Sequence, residues 1–345
     1  MNDRLPFCSV IIVNFNGKHL LHDCLTSVLA QAYGPFEVIV VDNGSTDGSC
    51  AYIESAFPGV TLVRAESNRG FAGGNNEGFR RAKGDLIVLL NNDAIAAEGW
   101  LRALVDAVAP GAVGVAGSLI VTEGVPVRYY EKNGTLNFLG HNIMRKFDRP
   151  ENTFFAGGAS LIYKRAHLGV PFDEDYFLYI EDVYLSMRAR FMGLGVVQTP
   201  ASSVRHLGRE TTRTQRASRM TMYQERNRLL TMLLFFSTWT LVRLIPVYLV
   251  NVCAKTAASL VSRKYSFAGL LRAYAWLLAH PALIARKRRA IRGAARVPET
   301  EVTTWMTSDM TNGEGLPGRW INRCSRLYFR IAGIRTLEDI PGGTR

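Results

Sequence analysis

The sequence predicts an α/β fold, a mostly parallel sheet covered by helices on both faces and followed by a separate helical region. Three observations predict it. Through the first half, short β-branched runs alternate with stretches of helical periodicity. Charge divides along the chain: residues 1–210 hold 19 Lys and Arg against 22 Asp and Glu, whereas residues 211–345 hold 22 against 7. From about residue 229 the strand signal stops and long apolar segments begin.

Residues 9–14 (SVIIVN) form a short apolar run, the pattern of a strand buried on both faces. Leu20, Leu21, Cys24, Leu25, Val28 and Leu29 then recur at helical spacing. Residues 37–41 (EVIVV) read as the next strand, and the turn cluster 42–47 (DNGSTD) opens a helix. Residues 61–64 are a third short strand, 75–83 a helix and 86–90 (LIVLL) a fourth strand. This alternation implies βαβ units, whose ligands bind beyond the carboxyl ends of the strands. Residues 113–121 and 159–163 read as strands, 181–192 as a helix, and 195–199 and 202–205 as short closing strands. Residues 122–153 carry weak periodicity and read as loop.

The rear is different in kind. Residues 229–254 are apolar apart from a few small polar residues, Asn251 and Arg243, which is long enough to span a bilayer. A charge at the centre of a span is costly, and Pro246 would kink the helix. A second apolar segment, 267–284, contains Arg272 and His280 and runs into Arg286-Lys287-Arg288-Arg289. Apolar segments ending in a basic cluster suit helices lying in a membrane interface. Spanning helices and an ordinary helical domain or oligomer interface stay open beside that reading. The expected organisation is therefore an α/β domain over 1–228, an apolar and basic helical region over 229–296, and a tail over 297–345 with no assignable role.

Composition excludes several classes. The five cysteines (Cys8, Cys24, Cys50, Cys253, Cys324) form no C-x-x-C pair, so neither a zinc site nor a disulfide framework is suggested. The N-terminus lacks an apolar run of signal-peptide length, so the chain reads as cytoplasmic. The net charge of +12 invites nucleic acid as a partner. The basic residues, however, sit beside apolar helices rather than in an aromatic groove, and no nucleic-acid module is recognisable.

Chemistry concentrates at strand ends. Asp42 follows EVIVV and Asp93 follows LIVLL, and a carboxylate there can accept hydrogen bonds from a ribose or hold a hard divalent cation. Each alone can equally be a helix cap. Between them, residues 68–76 (NRGFAGGNN) place three glycines ahead of a helix, which allows close approach to a phosphate, and Arg69 can pair with one. Glu181 and Asp182 open a helix soon after Asp173-Glu174-Asp175. One of these acids can serve as a general base, although acids in a first helical turn also serve the helix dipole. His206 closes the last strand as a candidate metal ligand or a structural histidine.

Taken together, these segments resemble glycosyltransferase family 2 with its GT-A, Rossmann-like fold. The resemblance runs in order through SVIIVNFNG (9–17), VIVVDNGSTDGS (38–49), NRGFAGGNN (68–76) and LLNND (89–93). It continues through GGASLIYKR (157–165), FLYIEDVYLSMR (177–188), His206 and YQERNRL (223–229). It is closest to the rhamnosyltransferase-like branch of cell-surface polysaccharide enzymes. The resemblance implies that Asp42 contacts the base or ribose of a nucleotide-sugar donor, with Val13 and Asn14 lining the same pocket. Asn68, Arg69 and Gly70 would sit on the nucleotide side. Asn91-Asn92-Asp93 occupies the family's D-x-D position, so Asp93 would bind Mg²⁺ or Mn²⁺, with Asn92 beside it and His206 as a further metal contact. Asp182 matches the catalytic base, with Glu181 beside it. Two positions depart from the pattern: the first Asp of D-x-D is Asn91, and the Asp often found two residues after the base is Tyr184.

The implied activity is inverting transfer of a sugar, with dTDP-rhamnose the favoured donor, onto a hydroxyl of a saccharide or polyprenyl-linked saccharide at the cytoplasmic membrane surface. A polyprenyl-phosphate sugar transferase and a non-enzymatic nucleotide-sugar binder on the same scaffold remain alternatives. Homo-oligomerisation is open.

Overall fold

The computed structural model describes residues 5–122, 133–145, 152–207, 217–261, 265–313 and 315–340. The chain forms two compact units. One is built from Met1–Glu131, Ala156–Ala189 and Leu194–Thr214, the other from Lys132–Phe155, Arg190–Gly193 and Gln215–Arg345.

The first unit begins β1 (Cys8–Asn14), α1 (Lys18–Leu29), β2 (Phe36–Asp42), α2 (Ser49–Ala56), β3 (Thr61–Arg64), α3 (Gly70–Arg81) and β4 (Leu86–Asn91). It continues with β5 (Ala94–Ala96), α4 (Trp100–Val108) and β6 (Val113–Thr122). After the hairpin β7 (Asn133–Leu136) and β8 (Asn142–Arg145), which belongs to the second unit, come β9 (Ser160–Lys164), α5 (Arg165–Leu168), α6 (Glu181–Phe191) and β10 (Gly195–His206). The sheet has eight strands in the order β3-β2-β1-β4-β9-β6-β10-β5. Pairs β1–β2, β2–β3, β1–β4 and β6–β10 are parallel, while β9 runs antiparallel between β4 and β6 and β5 antiparallel on β10. The expected α/β GT-A architecture is present.

Alternation along β1 explains its all-apolar sequence. Cys8, Val10 and Ile12 join the core beneath α1 and α4, while Ile11 and Val13 face α3. A Cβ on Gly74 would come 2.6 Å from Val13 Cγ1, and one on Gly78 would come 2.4 Å from Ile11 Cγ2. The glycines are thus inside the helix, which starts at Gly70 rather than at 75, and they serve helix-on-sheet packing. Sequence periodicity hides this because glycine carries no hydrophobic signal. The two closing strands read at 195–199 and 202–205 are one strand, β10, with a register break between Thr199 and Ser203 around Pro200. Trp100, fully buried, donates its indole N–H to Ser118 and Ser160, and Ser118 is also bonded to Ser202. That network ties α4 to three strands.

The second unit contains the hairpin and then α7 (Ala217–Phe235), α8 (Thr238–Val261), α9 (Phe267–Ala279), α10 (Pro281–Gly293), α11 (Glu299–Thr303) and α12 (Leu316–Ile331). Three corrections follow. Part of the region read as loop is the hairpin; residues 123–132 and 146–151 lie outside the described residues. The apolar run 229–254 is divided at Phe236 and Ser237, where Glu299 accepts the Ser237 amide at 2.5 Å. The run 267–284 is bent by 73° at His280, just ahead of Pro281, a residue suited to a first helical turn. The tail is built into the unit: Thr135 donates to the Trp305 carbonyl at 2.6 Å, Thr307 to the Leu136 carbonyl at 3.0 Å, and the Phe138 and Phe329 rings lie 4.8 Å apart.

Candidate active site

Three parallel strands end side by side at Asn14, Asp42 and Asn91. Asn14 is the hinge of the cluster. Its Nδ2 donates to Asp42 Oδ2 at 3.1 Å, and its Oδ1 accepts Asn92 Nδ2 at 2.9 Å. Asp42 Oδ1 accepts the Ser45 amide at 2.9 Å. Asn14, Asp42 and Asn92 are all buried. The chain must pass very close here, since a Cβ on Gly17 would lie 2.4 Å from Asn92 Nδ2 and 2.7 Å from Asn14 Oδ1.

Asn43 fixes the next segment. Its Nδ2 donates to the Gly70 carbonyl at 2.9 Å and to Asn68 Oδ1 at 3.2 Å, and its Oδ1 accepts the Arg69 amide at 3.1 Å. Gly70 has φ +72°, and a Cβ there would meet the Phe177 carbonyl at 2.2 Å. The Arg69 guanidinium is engaged by Glu174 at 2.8 Å and Glu77 at 3.4 Å. Val13 packs on Gly74.

Beyond β4, Asp93 is 4% exposed and its Oδ1 lies 3.1 Å from His206 Nε2. β5, the three-residue strand after Asp93, creates this contact by pairing Ala94 with His206. Asn91 Nδ2 is 3.3 Å from the same imidazole nitrogen, and Asn91 Oδ1 is buried with no hydrogen-bond partner. Half a turn of the amide exchanges these two atoms, so Asn91 can offer oxygen or NH₂ to the centre. A carboxylate, an imidazole and an available amide oxygen have the donor chemistry that fits one hard divalent cation. Among the described residues no group of three or more His, Cys, Asp or Glu is gathered for a metal, so a closed all-protein site does not fit.

The third cluster is at the start of α6. Asp182 Oδ2 accepts the Gly158 amide at 3.1 Å and Oδ1 the Val183 amide at 2.8 Å. One residue along, the Ala159 carbonyl accepts the Asn91 amide at 3.0 Å, which couples Asp182 to the metal-fitting group through a single turn. Glu181 is 7% exposed and its Oε2 has no hydrogen-bond partner. Burial, and then the Asp182 charge, push the Glu181 carboxyl up to about 8. Burial also raises Asp182, against the pull of the Gly158 and Val183 amides. Of the two, Asp182 has the amide donors that favour a charged carboxylate, and Glu181, with an unpaired oxygen, is the one held further toward its protonated form. Phe177, Tyr179 and Ile180, immediately before the helix, all have positive φ (60°, 72° and 71°), backbone strain of the kind held at functional sites.

The structure thus joins Asn14, Asp42 and Asn92 directly, and Asp93 with His206 directly. It reaches Asn68 and Gly70 through Asn43, and Asp182 through Gly158. Sequence reasoning missed the organising roles of Gly17 and Asn43. Their signals are faint, a glycine and an asparagine within turn clusters where both are commonplace.

The sheet order and the acidic clusters at its strand ends define a GT-A protein. Two solved structures share the fold. GalNAc-T7, determined with UDP, GalNAc and Mn²⁺, has a TM-score of 0.60 at 17% identity over 81% of this chain and 58% of its own. A mannosyltransferase from Pyrobaculum calidifontis, determined with GDP-Man and Mn²⁺, has 0.52 at 18% identity over 98% and 88%. Residues 9–169 match the model of glycosyl transferase family 2, so that stretch of the chain is similar to the family's domain. The O-antigen biosynthesis protein RfbC of Myxococcus xanthus is 30% identical over 220 residues, 58% of this chain and 17% of RfbC. The chain spans less than half the length of the first curated relatives it matches.

Proposed function

We propose that the protein is an inverting glycosyltransferase that moves a sugar from a nucleoside-diphosphate donor onto a hydroxyl of a saccharide or lipid-linked saccharide in polysaccharide assembly. The carrying observation is the coupling of Asp182 to the Asp93–His206 pair through the Gly158–Ala159 turn. The match of residues 9–169 to the family 2 model, the nucleotides in the two solved neighbours and the O-antigen role in the name of RfbC support the reading.

Asp42, oriented by Asn14 and Ser45, accepts hydrogen bonds from the nucleoside, while Val13, Asn68, Arg69, Gly70 and Asn92 border the donor. Asp93 and His206 would hold Mg²⁺ or Mn²⁺, with Asn91 available beside them. When bound, the cation supplies Lewis-acid neutralisation of the leaving diphosphate. Asp182 takes the proton from an acceptor hydroxyl held near the anomeric carbon. Beyond the backbone amide bonds it accepts, the carboxylate still has lone-pair capacity for a further donor. Glu181, carrying a proton, leaves that charge undivided. A single displacement needs one base and inverts the anomeric centre. The second unit would bind the cytoplasmic membrane surface that carries a lipid-linked acceptor.

The test is a panel of nucleotide sugars, dTDP-rhamnose first, with and without Mn²⁺ or Mg²⁺ and with lipid-linked acceptors, read as nucleoside diphosphate release. Metal-dependent turnover of one donor, lost in Asp93→Ala and Asp182→Asn, is expected. Donor binding without turnover of any donor would overturn the enzymatic reading.

A further inference from the structure

The second unit exposes many large apolar side chains, and their pattern is specific. On α12, Leu316, Trp320, Leu327 and Ile331 are 68%, 65%, 59% and 78% exposed, and their spacing of four, seven and four residues puts them on one stripe. Arg319, Arg323 and Arg330, also exposed, form the adjoining stripe, and the helix has no acidic residue. On α8, Val242, Ile245, Leu249 and Cys253 share another exposed stripe. The two helices are joined, with the Tyr328 hydroxyl bonded to the Arg243 carbonyl and Arg243 reaching the Gly333 carbonyl at 3.4 Å.

α8 is long and apolar enough to cross a membrane, with only 11% of its most apolar stretch buried. Polar ties along its other side nevertheless fix it to the unit. Thr240 bonds to Glu299, Arg243 to Gly333, the Tyr248 hydroxyl to the Phe138 carbonyl at 3.1 Å, and Lys255 to Glu225 at 2.5 Å. These ties extend over about 22 Å of helix at 1.5 Å per residue. A span would carry all of those partners into hydrocarbon. Part of the basic run has another task, since Arg288 and Arg292 donate to the carbonyls of Leu233 and Phe235 at the end of α7.

We propose that α8 and α12 lie in the plane of an anionic phospholipid bilayer, their exposed apolar stripes inserted and Arg319, Arg323 and Arg330 at the headgroups. Arginine stripes without acids are complementary to anionic headgroups, and an amphipathic helix of this kind inserts its apolar face at the headgroup–acyl boundary. The proposal makes the membrane partner of the proposed transferase specific and assigns α12 as an anchor.

Full-length protein should co-sediment with vesicles of phosphatidylcholine and phosphatidylglycerol and bind phosphatidylcholine vesicles at least tenfold more weakly. Trp320→Glu/Leu327→Glu should lower the partition coefficient tenfold or more, and Arg319→Gln/Arg323→Gln/Arg330→Gln should remove the preference for anionic lipid. All five positions are exposed, so folding is expected to be unchanged. Bound protein should be extracted by alkaline carbonate, and the exposed thiols of Cys253 and Cys324 should be protected from a water-soluble maleimide on vesicles. Failure of wild type to bind, retention of the double variant, resistance to carbonate, or a concentration-dependent dimer abolished by Trp320→Glu would each overturn the proposal. Turnover with a soluble acceptor, measured on the same preparations, separates these outcomes from failure of the transferase reading.

Discussion

Replacing Glu181 by glutamine keeps the size of the side chain and removes its ionisation, which isolates the cost of a carboxyl group held in a buried site. Its pKa rises from 4.5 to about 8 on folding, through burial and then the neighbouring Asp182 charge. Between those values the folded protein keeps a proton that the unfolded chain releases, so stability falls as pH rises. The contribution is complete below the unfolded value and lost as pH climbs through the folded one. At 1.36 kcal/mol per pH unit the ceiling is about 5 kcal/mol. Relaxation around a partly exposed Asp182 reduces it, and about 1–3 kcal/mol is expected, in line with burying an unpaired polar group. Urea unfolding of wild type and Glu181→Gln, followed from about pH 5 to pH 9, reads this directly. The two curves should run close at the acid end, separate progressively in favour of the variant as pH rises toward about 8, and keep a constant gap beyond it. Parallel curves would refute the reasoning, because Glu181 would then be ionised or solvated in the folded state.

Three further expectations rest on single contacts. Gly17→Ala would drive a methyl into Asn92 and Asn14, so about 1–3 kcal/mol of stability should be lost together with nucleotide affinity, read by calorimetric titration with nucleoside diphosphates. Glu225→Gln leaves Lys255 buried without its counter-charge and should cost about 3–5 kcal/mol in the melting of the second unit, with Glu225→Gln/Lys255→Met recovering part of the loss. His206→Ala should raise the Mn²⁺ concentration needed for half-maximal donor turnover by about 10-fold or more, a loss of about 1.4 kcal/mol or more, while leaving metal-free nucleotide binding unchanged.

Much of the first unit was legible because buried parallel strands write themselves as unbroken apolar runs. SVIIV, EVIVV and LIVLL are continuous because each strand is covered on both faces, and the acids that follow the second and third, Asp42 and Asp93, fall at the strand ends by connectivity alone. β5 was not legible, since three residues carry no periodicity, yet that strand brings His206 to Asp93. The start of α3 was misplaced for the opposite reason. Its glycines read as a loop, and only the proximity of Val13 and Ile11 explains why nothing larger fits.

The sequence by itself determined the α/β class, most of the alternating strands and helices of the first half, the acids at the strand ends and the division between a near-neutral front and a basic, apolar rear. These follow from local periodicity and composition, which a chain carries before it folds. Tertiary structure decided which of two adjacent acids is held further toward its protonated form, that Asn14 couples Asp42 to Asn92, and that α8 is tied along its length by polar contacts from the rest of the second unit. It also decided that the unassigned tail contains the exposed, arginine-flanked face of α12. Each depends on groups remote in sequence meeting at hydrogen-bond distance, and on how much water is excluded where they meet.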